Sequence, residues 1–270
     1  MIHLHRLERL GNLMSQYCFA RVLTGRFGYA LDACPIAGFT ASRRRIDGEE
    51  VLGLEVRWTR QWPREVYSSR KLERAELFQA PGARVTLQGF FQRFEYIAEI
   101  REEVREDWLK LDDPAPVRAS GDFLVCLRMK DDVRDTKNLE GSEASPWTDS
   151  VLRVEEIRRL VKTVPHERLY LVTDEPGHPT IESLKDLHPV VQAEGEMQDF
   201  RFIHSFQKVA IGQSAFQWWA AFLGAAREIY SPPMDRGIWS HPEPADLITD
   251  PWWWGIDLRV PDDQRYVYEW

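Results

Sequence analysis

Residues 198–223 read QDFRFIHSFQKVAIGQSAFQWWAAFL. Within them a short β-branched run, Val209-Ala210-Ile211, ends in Gly212-Gln213-Ser214 and gives way to a helical pattern. Apolar residues at Phe216, Trp219, Ala220 and Leu223 predict one apolar helix face turned toward a sheet. A strand that feeds a small-residue turn and then a helix leaves backbone N–H groups pointing out of the helix start. Such a terminus carries a partial positive charge and suits an anion, a phosphate above all. By itself, the same pattern is also an ordinary strand–helix joint of an α/β core.

Outward from this joint, strand and helix patterns alternate. Phe123-Leu124-Val125 reads as a strand, and Val154, Ile157, Leu160 and Val161 mark a helix. Leu169–Val172 reads as a strand ending in Thr173-Asp174-Glu175, and a helix is expected near Ile181–Leu187. This alternation predicts an α/β fold, a parallel sheet with helices on its faces. Near the N-terminus, Ile2-His3-Leu4 is the expected first strand, followed by a helix with Met14, Tyr17, Cys18 and Val22 on one face. A further helix is expected along Ile97, Ile100, Val104, Trp108 and Leu111. The Pro-rich stretch Asp112–Gly121 is the best linker, so domains are placed at 1–118 and 119–270.

Of 270 residues, 43% are hydrophobic, enough for one large or two modest α/β domains. No run of 18 apolar residues occurs, so no membrane span is predicted. The first strand is expected to begin almost at Met1, leaving no room for a signal peptide. Three cysteines, Cys18, Cys34 and Cys126, are an odd number, and they read as free thiols of a reducing compartment. A cytoplasmic protein, at most peripheral to the inner membrane, is the expectation. With 43 acids against 35 basic residues the net charge is −8, which discourages nonspecific nucleic-acid binding. An anionic ligand then needs a local cationic pocket. The run Arg128, Lys130, Arg134, Lys137 either supplies one or is a solvated charged loop.

Five stretches along the chain resemble the inverting α-1,2-fucosyltransferases of glycosyltransferase family 11. Arg9-Leu10-Gly11-Asn12-Leu13-Met14-Ser15-Gln16-Tyr17 resembles the family's Gly-Asn loop, and Leu87-Gln88-Gly89-Phe90-Phe91-Gln92-Arg93-Phe94-Glu95-Tyr96 its L-x-G-Y-F-Q-S-x-K-Y. Cys126-Leu127-Arg128-Met129-Lys130-Asp131 aligns with H-x-R-x-G-D, keeping the arginine, with Cys126 in place of His and Lys130 in place of Gly. Asp199 followed by Ser214, Phe216, Trp218, Trp219 and Ala221 matches the C-terminal signature, from which Gln213, Ala215 and Gln217 depart. Leu169–Glu175 is similar to the family's F-x-x-F-S-D-D.

The resemblance implies a GT-B-like fold, two Rossmann-like domains facing a central cleft, the first mainly on the acceptor and the second on GDP-fucose. It implies transfer of fucose to a galactose-containing glycan, with GDP-fucose as co-substrate and no cofactor. Arg128 and Asp131 are the implied catalytic pair. Gly11, Asn12, Arg128, Lys130, Asp174, Gln213, Ser214, Ala215 and Phe216 are the implied donor contacts. Gln92 and Trp252 fall to the acceptor. Read from their own chemistry, Gly11 allows close backbone approach and Asn12 can cap a helix. Arg128 offers bidentate donation to phosphate oxygens, or pairs with a carboxylate at a strand end. Trp252-Trp253-Trp254 either stacks on sugar rings or closes the tail onto the body.

No Asp-x-Asp, His-Glu-x-x-His, Cys-x-x-Cys or Walker lysine loop occurs, so no metal is expected. Leaving-group stabilisation then rests on Arg128, the N–H groups around Ser214 and Lys130. Asp131 has Asp132, Glu8 and Asp174 as rivals for the base. The changed residues at Cys126 and Lys130 also admit another nucleotide-sugar donor, or a silent carbohydrate- or nucleotide-binding protein on the same scaffold.

Overall fold

The computed structural model describes residues 2–4, 9–27, 30–33, 35–39, 45–46, 85–87, 100–129, 154–212, 214–230 and 265–267. The chain divides into two compact units, one of residues 1–113 with 250–259, the other of 114–249 with 260–270. The division at Asp113–Pro114 falls inside the Pro-rich stretch.

In the first unit, β1 (Ile2–Leu4) runs parallel to both β2 (Leu31–Asp32) and β4 (Val85–Leu87), and β3 (Arg45–Ile46) pairs antiparallel with β2. The sheet is therefore mixed, in the order β3-β2-β1-β4. Helix α1 (Leu10–Phe27) connects β1 to β2 and buries Met14, Tyr17, Ala20 and Leu23 completely. One arginine of this helix, Arg21, is buried among aromatic rings. The Arg21 guanidinium lies 4.4 Å from the Trp108 ring centroid and donates to the Tyr17 hydroxyl at 3.0 Å. The helix expected through Ile97–Leu111 is broken within its described part. A single turn, α2 (Arg101–Glu103), passes into a π-helical stretch, Val104–Trp108, closed by Leu109 N–H donating to the Val104 carbonyl at 2.8 Å. The wider turn accompanies a bond from the Trp108 indole N–H to Glu103 Oε1 at 2.7 Å.

The second unit is a parallel α/β sheet of six strands. Its strands are β5 (Asp122–Leu127), β6 (Arg168–Thr173), β7 (Val190–Gln192), β8 (Lys208–Ala210), β9 (Glu228–Tyr230) and β10 (Arg265–Val267). The spatial order is β10-β9-β8-β5-β6-β7, and every adjacent pair is parallel. The chain steps outward from β5 to β7, returns to the middle at β8, and steps outward the other way. β5, buried along its whole length, reads as a continuous apolar run because both of its faces are covered.

Odd-numbered residues of β5 and β6 (Phe123, Val125, Leu127, Leu169, Leu171) share one core with Ile157, Leu160 and Val161 of α3 (Val154–Thr163) and Ile181 of α4 (Pro179–Glu182). On the even-numbered residues, Tyr170 of β6 meets Phe202 of α5 (Glu196–His204), ring centroids 6.0 Å apart, and Phe206 beyond it at 5.1 Å. The Arg118 guanidinium lies over these same three rings and donates to the Tyr170 hydroxyl at 3.4 Å. The segment entering the second unit is fastened there.

Two further sequence expectations change. The helix expected over Ile181–Leu187 is α4 followed by a separate 3-10 turn, Lys185–Leu187, ending on His188 at φ 50°. Helix α6 (Ala215–Leu223) buries more than the one face expected: every residue from Gln217 to Leu223 is buried. Apart from Gln217, every residue of this helix is apolar, as expected of a helix buried on more than one side. Trp218 and Phe222 stack along it at 4.8 Å, and Trp219 sits edge-on to Trp218 at 4.9 Å.

Candidate functional site

Open parallel sheets bind ligands beyond the carboxyl ends of their strands, where the strand order reverses. Here that point lies between β5 and β8. Their register pairs Val125 with Ala210, so Arg128 and the turn Ile211–Ser214 leave the sheet at the same edge. On the other side of β5, Leu127 pairs with Thr173, which brings Asp174 to that edge too. Three sequence-predicted residues, Arg128, Asp174 and Ser214, thus share one end of one sheet.

Each loop is tied down by a side chain. Beyond β5, Arg128 is half-buried and Met129 is buried; the Met129 N–H donates to Asp174 Oδ1 at 2.7 Å. Beyond β8, the Ile211 N–H donates to the Tyr230 carbonyl at 2.8 Å, and the Ser214 N–H donates to the Gly212 carbonyl at 2.9 Å. The Gly212 N–H donates to Gln217 Oε1 at 2.8 Å, a bond wholly buried. Ser214, in extended backbone at φ −131° and ψ 119°, stands before α6, and its carbonyl accepts the first helical bond from the Trp218 N–H. Its hydroxyl makes no capping bond. Helix geometry leaves the first amides of α6, those of Ala215 and Phe216, without an intrahelical acceptor. Phe216 itself packs edge-on to Phe200 at 5.5 Å, so its backbone amide is what it offers the edge.

Gln217 is a residue that sequence reasoning counted only as a departure from a pattern. The signal was present: Ser214-x-x-Gln217 is the spacing of a capping box, in which the third helical residue reaches back to the preceding turn. Here the Gln half of that device reaches Gly212.

Asp199 does local work. Its two carboxylate oxygens accept the N–H groups of Glu194 (3.0 Å) and Gly195 (3.2 Å), and Gln192 Nε2 donates at 3.4 Å. It fastens the turn from β7 into α5. Gly195 adopts φ 114° in that turn, a conformation that favours glycine. Cys126, under the Arg128 loop, is buried; burial pushes its thiol well up, and the nearby Asp199 charge adds to the shift. A thiol held neutral in this way is neither nucleophile nor base at neutral pH. Cys18 is likewise buried and its thiol raised by burial, with Arg21 opposing.

Gly11 and Asn12 stand in the first unit. Neither precedes the helix: α1 starts at Leu10, and the Leu13 N–H donates to the Arg9 carbonyl at 3.0 Å, so Asn12 lies inside the first turn. It is not the cap, because Arg9 already supplies the first helical acceptor. Gln92, Lys130, Asp131, Gln213 and Trp252, with the rival acids Glu8 and Asp132, lie outside the described residues, as does Cys34. Among the described residues, no three His, Cys, Asp or Glu side chains are grouped to hold a metal, and no helix is long and apolar enough to cross a membrane. Comparison of the chain with protein-family models, with curated proteins and with solved structures finds no match.

Proposed function

We propose that the chain is an inverting, metal-independent glycosyltransferase that moves fucose from GDP-fucose to a galactose-containing glycan, on a cytoplasmic GT-B-like scaffold. One observation carries this reading. Arg128 and the amide-bearing start of α6 leave neighbouring strands at the point where the sheet order reverses. An arginine and free helix amides at such a point suit a diphosphate.

The acceptor hydroxyl oxygen would form the new bond to the anomeric carbon as the bond to the β-phosphate oxygen breaks. GDP leaves with that electron pair. Arg128 and the Ala215 and Phe216 amides meet the charge that develops on the leaving diphosphate, as preorganised donors that need no reorganisation. Asp131 takes the acceptor proton.

A second reading is favoured by Cys126. The family pattern has a histidine there, and this chain has a buried, neutral thiol. A protein that binds a nucleotide sugar without turning it over fits that exchange.

GDP release from GDP-fucose with a galactoside acceptor separates the two, measured with and without EDTA and beside Arg128→Ala. Turnover that survives EDTA and falls at least tenfold with Arg128→Ala supports the transferase, since a lost charge-assisted pair costs about 1.5–3 kcal/mol. GDP binding without turnover across several donors supports the silent protein. Loss of turnover on chelation overturns the metal-free mechanism.

A further inference from the structure

We infer that Asp174 is a positioning residue for Arg128 and not a ligand contact; the inference rests on the reading of this edge as a diphosphate site. The backbone ladder between β5 and β6 ends at Leu127–Thr173. Asp174, the next residue, carries the tie further by accepting the Met129 N–H at 2.7 Å through Oδ1. That bond fixes the peptide immediately after Arg128, and with it the direction in which the arginine leaves the sheet. The Thr173 hydroxyl holds the other side of the corner by accepting the Glu175 N–H at 3.2 Å.

The charge of Asp174 argues the same way. A carboxylate facing a diphosphate would repel it, whereas one whose Oδ1 is engaged by a backbone N–H has its charge partly compensated. Asp174 is exposed, so its carboxylate stays hydrated and is not needed to hold a core together. Asparagine at this position keeps the acceptor oxygen and loses the charge. Alanine loses both.

The test compares Asp174→Ala with Asp174→Asn in the full chain. Amide exchange at Met129 is followed without ligand, and affinities for GDP and guanosine are measured by titration calorimetry. In Asp174→Ala, Met129 exchange should accelerate and GDP affinity should fall roughly tenfold, as loss of one hydrogen bond to a charged group implies, while guanosine affinity holds. Asp174→Asn should restore both. In an Arg128→Ala background, Asp174→Ala should weaken GDP no further.

Equal losses for guanosine and GDP would overturn the inference, because the carboxylate would then touch the nucleoside. Unchanged Met129 exchange in Asp174→Ala would overturn it as well. So would an Asp174→Asn variant that keeps Met129 protected and still loses GDP. If the wild-type chain binds no GDP, the proposed function fails instead, and Met129 exchange still decides whether Asp174 holds the loop.

Discussion

The loops beyond β5 and β8 leave adjacent strands at one sheet edge, yet they are braced by opposite means. The Arg128–Met129 loop is held from the neighbouring strand by an exposed carboxylate, Asp174. The Gly212–Ser214 turn is held from its own helix by a buried amide, Gln217, 5% exposed. A brace whose bond is only part-buried is the cheaper to lose, because water can take its place in part. A buried brace is not, because removing it strands an N–H with no solvent to satisfy it. Mutations at the two loops should therefore separate: stability for one, ligand affinity for the other.

The sharpest way to break this contrast is at the far end of α6. A Cβ built on Gly224 would run into the His204 carbonyl and the Ala220 carbonyl, both backbone, and the Ala225 N–H already donates to that His204 carbonyl at 2.8 Å. Gly224→Ala should force α5 and α6 apart and cost about 3 kcal/mol in urea unfolding, in the upper range for overpacking. An unchanged unfolding midpoint would mean that α6 is not clamped, and the rigidity assigned to its N-terminal turn would fail with it.

Next comes the buried brace itself. Gln217→Met keeps length and removes the acceptor, leaving the Gly212 N–H unpaired at a cost of about 2 kcal/mol. Asp174→Ala, by contrast, should shift the same midpoint by about 1 kcal/mol or less, because water can take up part of a bond that is only part-buried. Equal shifts would erase the distinction between the loops.

A pH-dependent effect lies in β5 itself, two residues before Arg128. Burial raises the Cys126 thiol above its unfolded value, so the unfolded chain releases this proton at a lower pH than the folded one. The stabilisation is complete below the unfolded thiol range of about pH 8.5 and is lost as pH rises toward the raised folded value. From pH 9 to 10, stability should fall by about 1.2 kcal/mol for this thiol, and Cys126→Ala should remove that part of the slope. A slope that Cys126→Ala leaves intact would mean that Cys126 is not the group responsible.

How far the fold was legible follows from how each element is buried. Phe123–Leu127 and Leu169–Val172 are covered on both faces and so read as apolar runs. Ile157, Leu160 and Val161 sit inward on a helix whose other side is charged, and so show a period. β7 gave no such sign, because Val190 and Val191 are both substantially exposed at the sheet's edge. The break in the helix after Glu103 was equally hidden. An i→i+5 bond leaves the hydrophobic spacing of Val104 and Trp108 close to what an α-helix would give.

At the candidate site, the sequence pointed to Arg128 through its resemblance to a family motif and its place in a basic run, and to the strand–turn–helix around Ser214 through its local residue pattern. It also held the Ser214-x-x-Gln217 spacing. What it could not contain was adjacency. β5 and β8 are separated along the chain by two helix-and-strand excursions, and only the parallel pairing of Val125 with Ala210 brings their ends together. The same holds for Asp174, whose acceptor oxygen meets the Met129 N–H because β6 pairs with β5 as far as Leu127–Thr173 and Asp174 follows that last pair. Local chemistry was written in the residues; which residues face one another was set by strand pairing, which is a nonlocal contact chosen by the packed sheet.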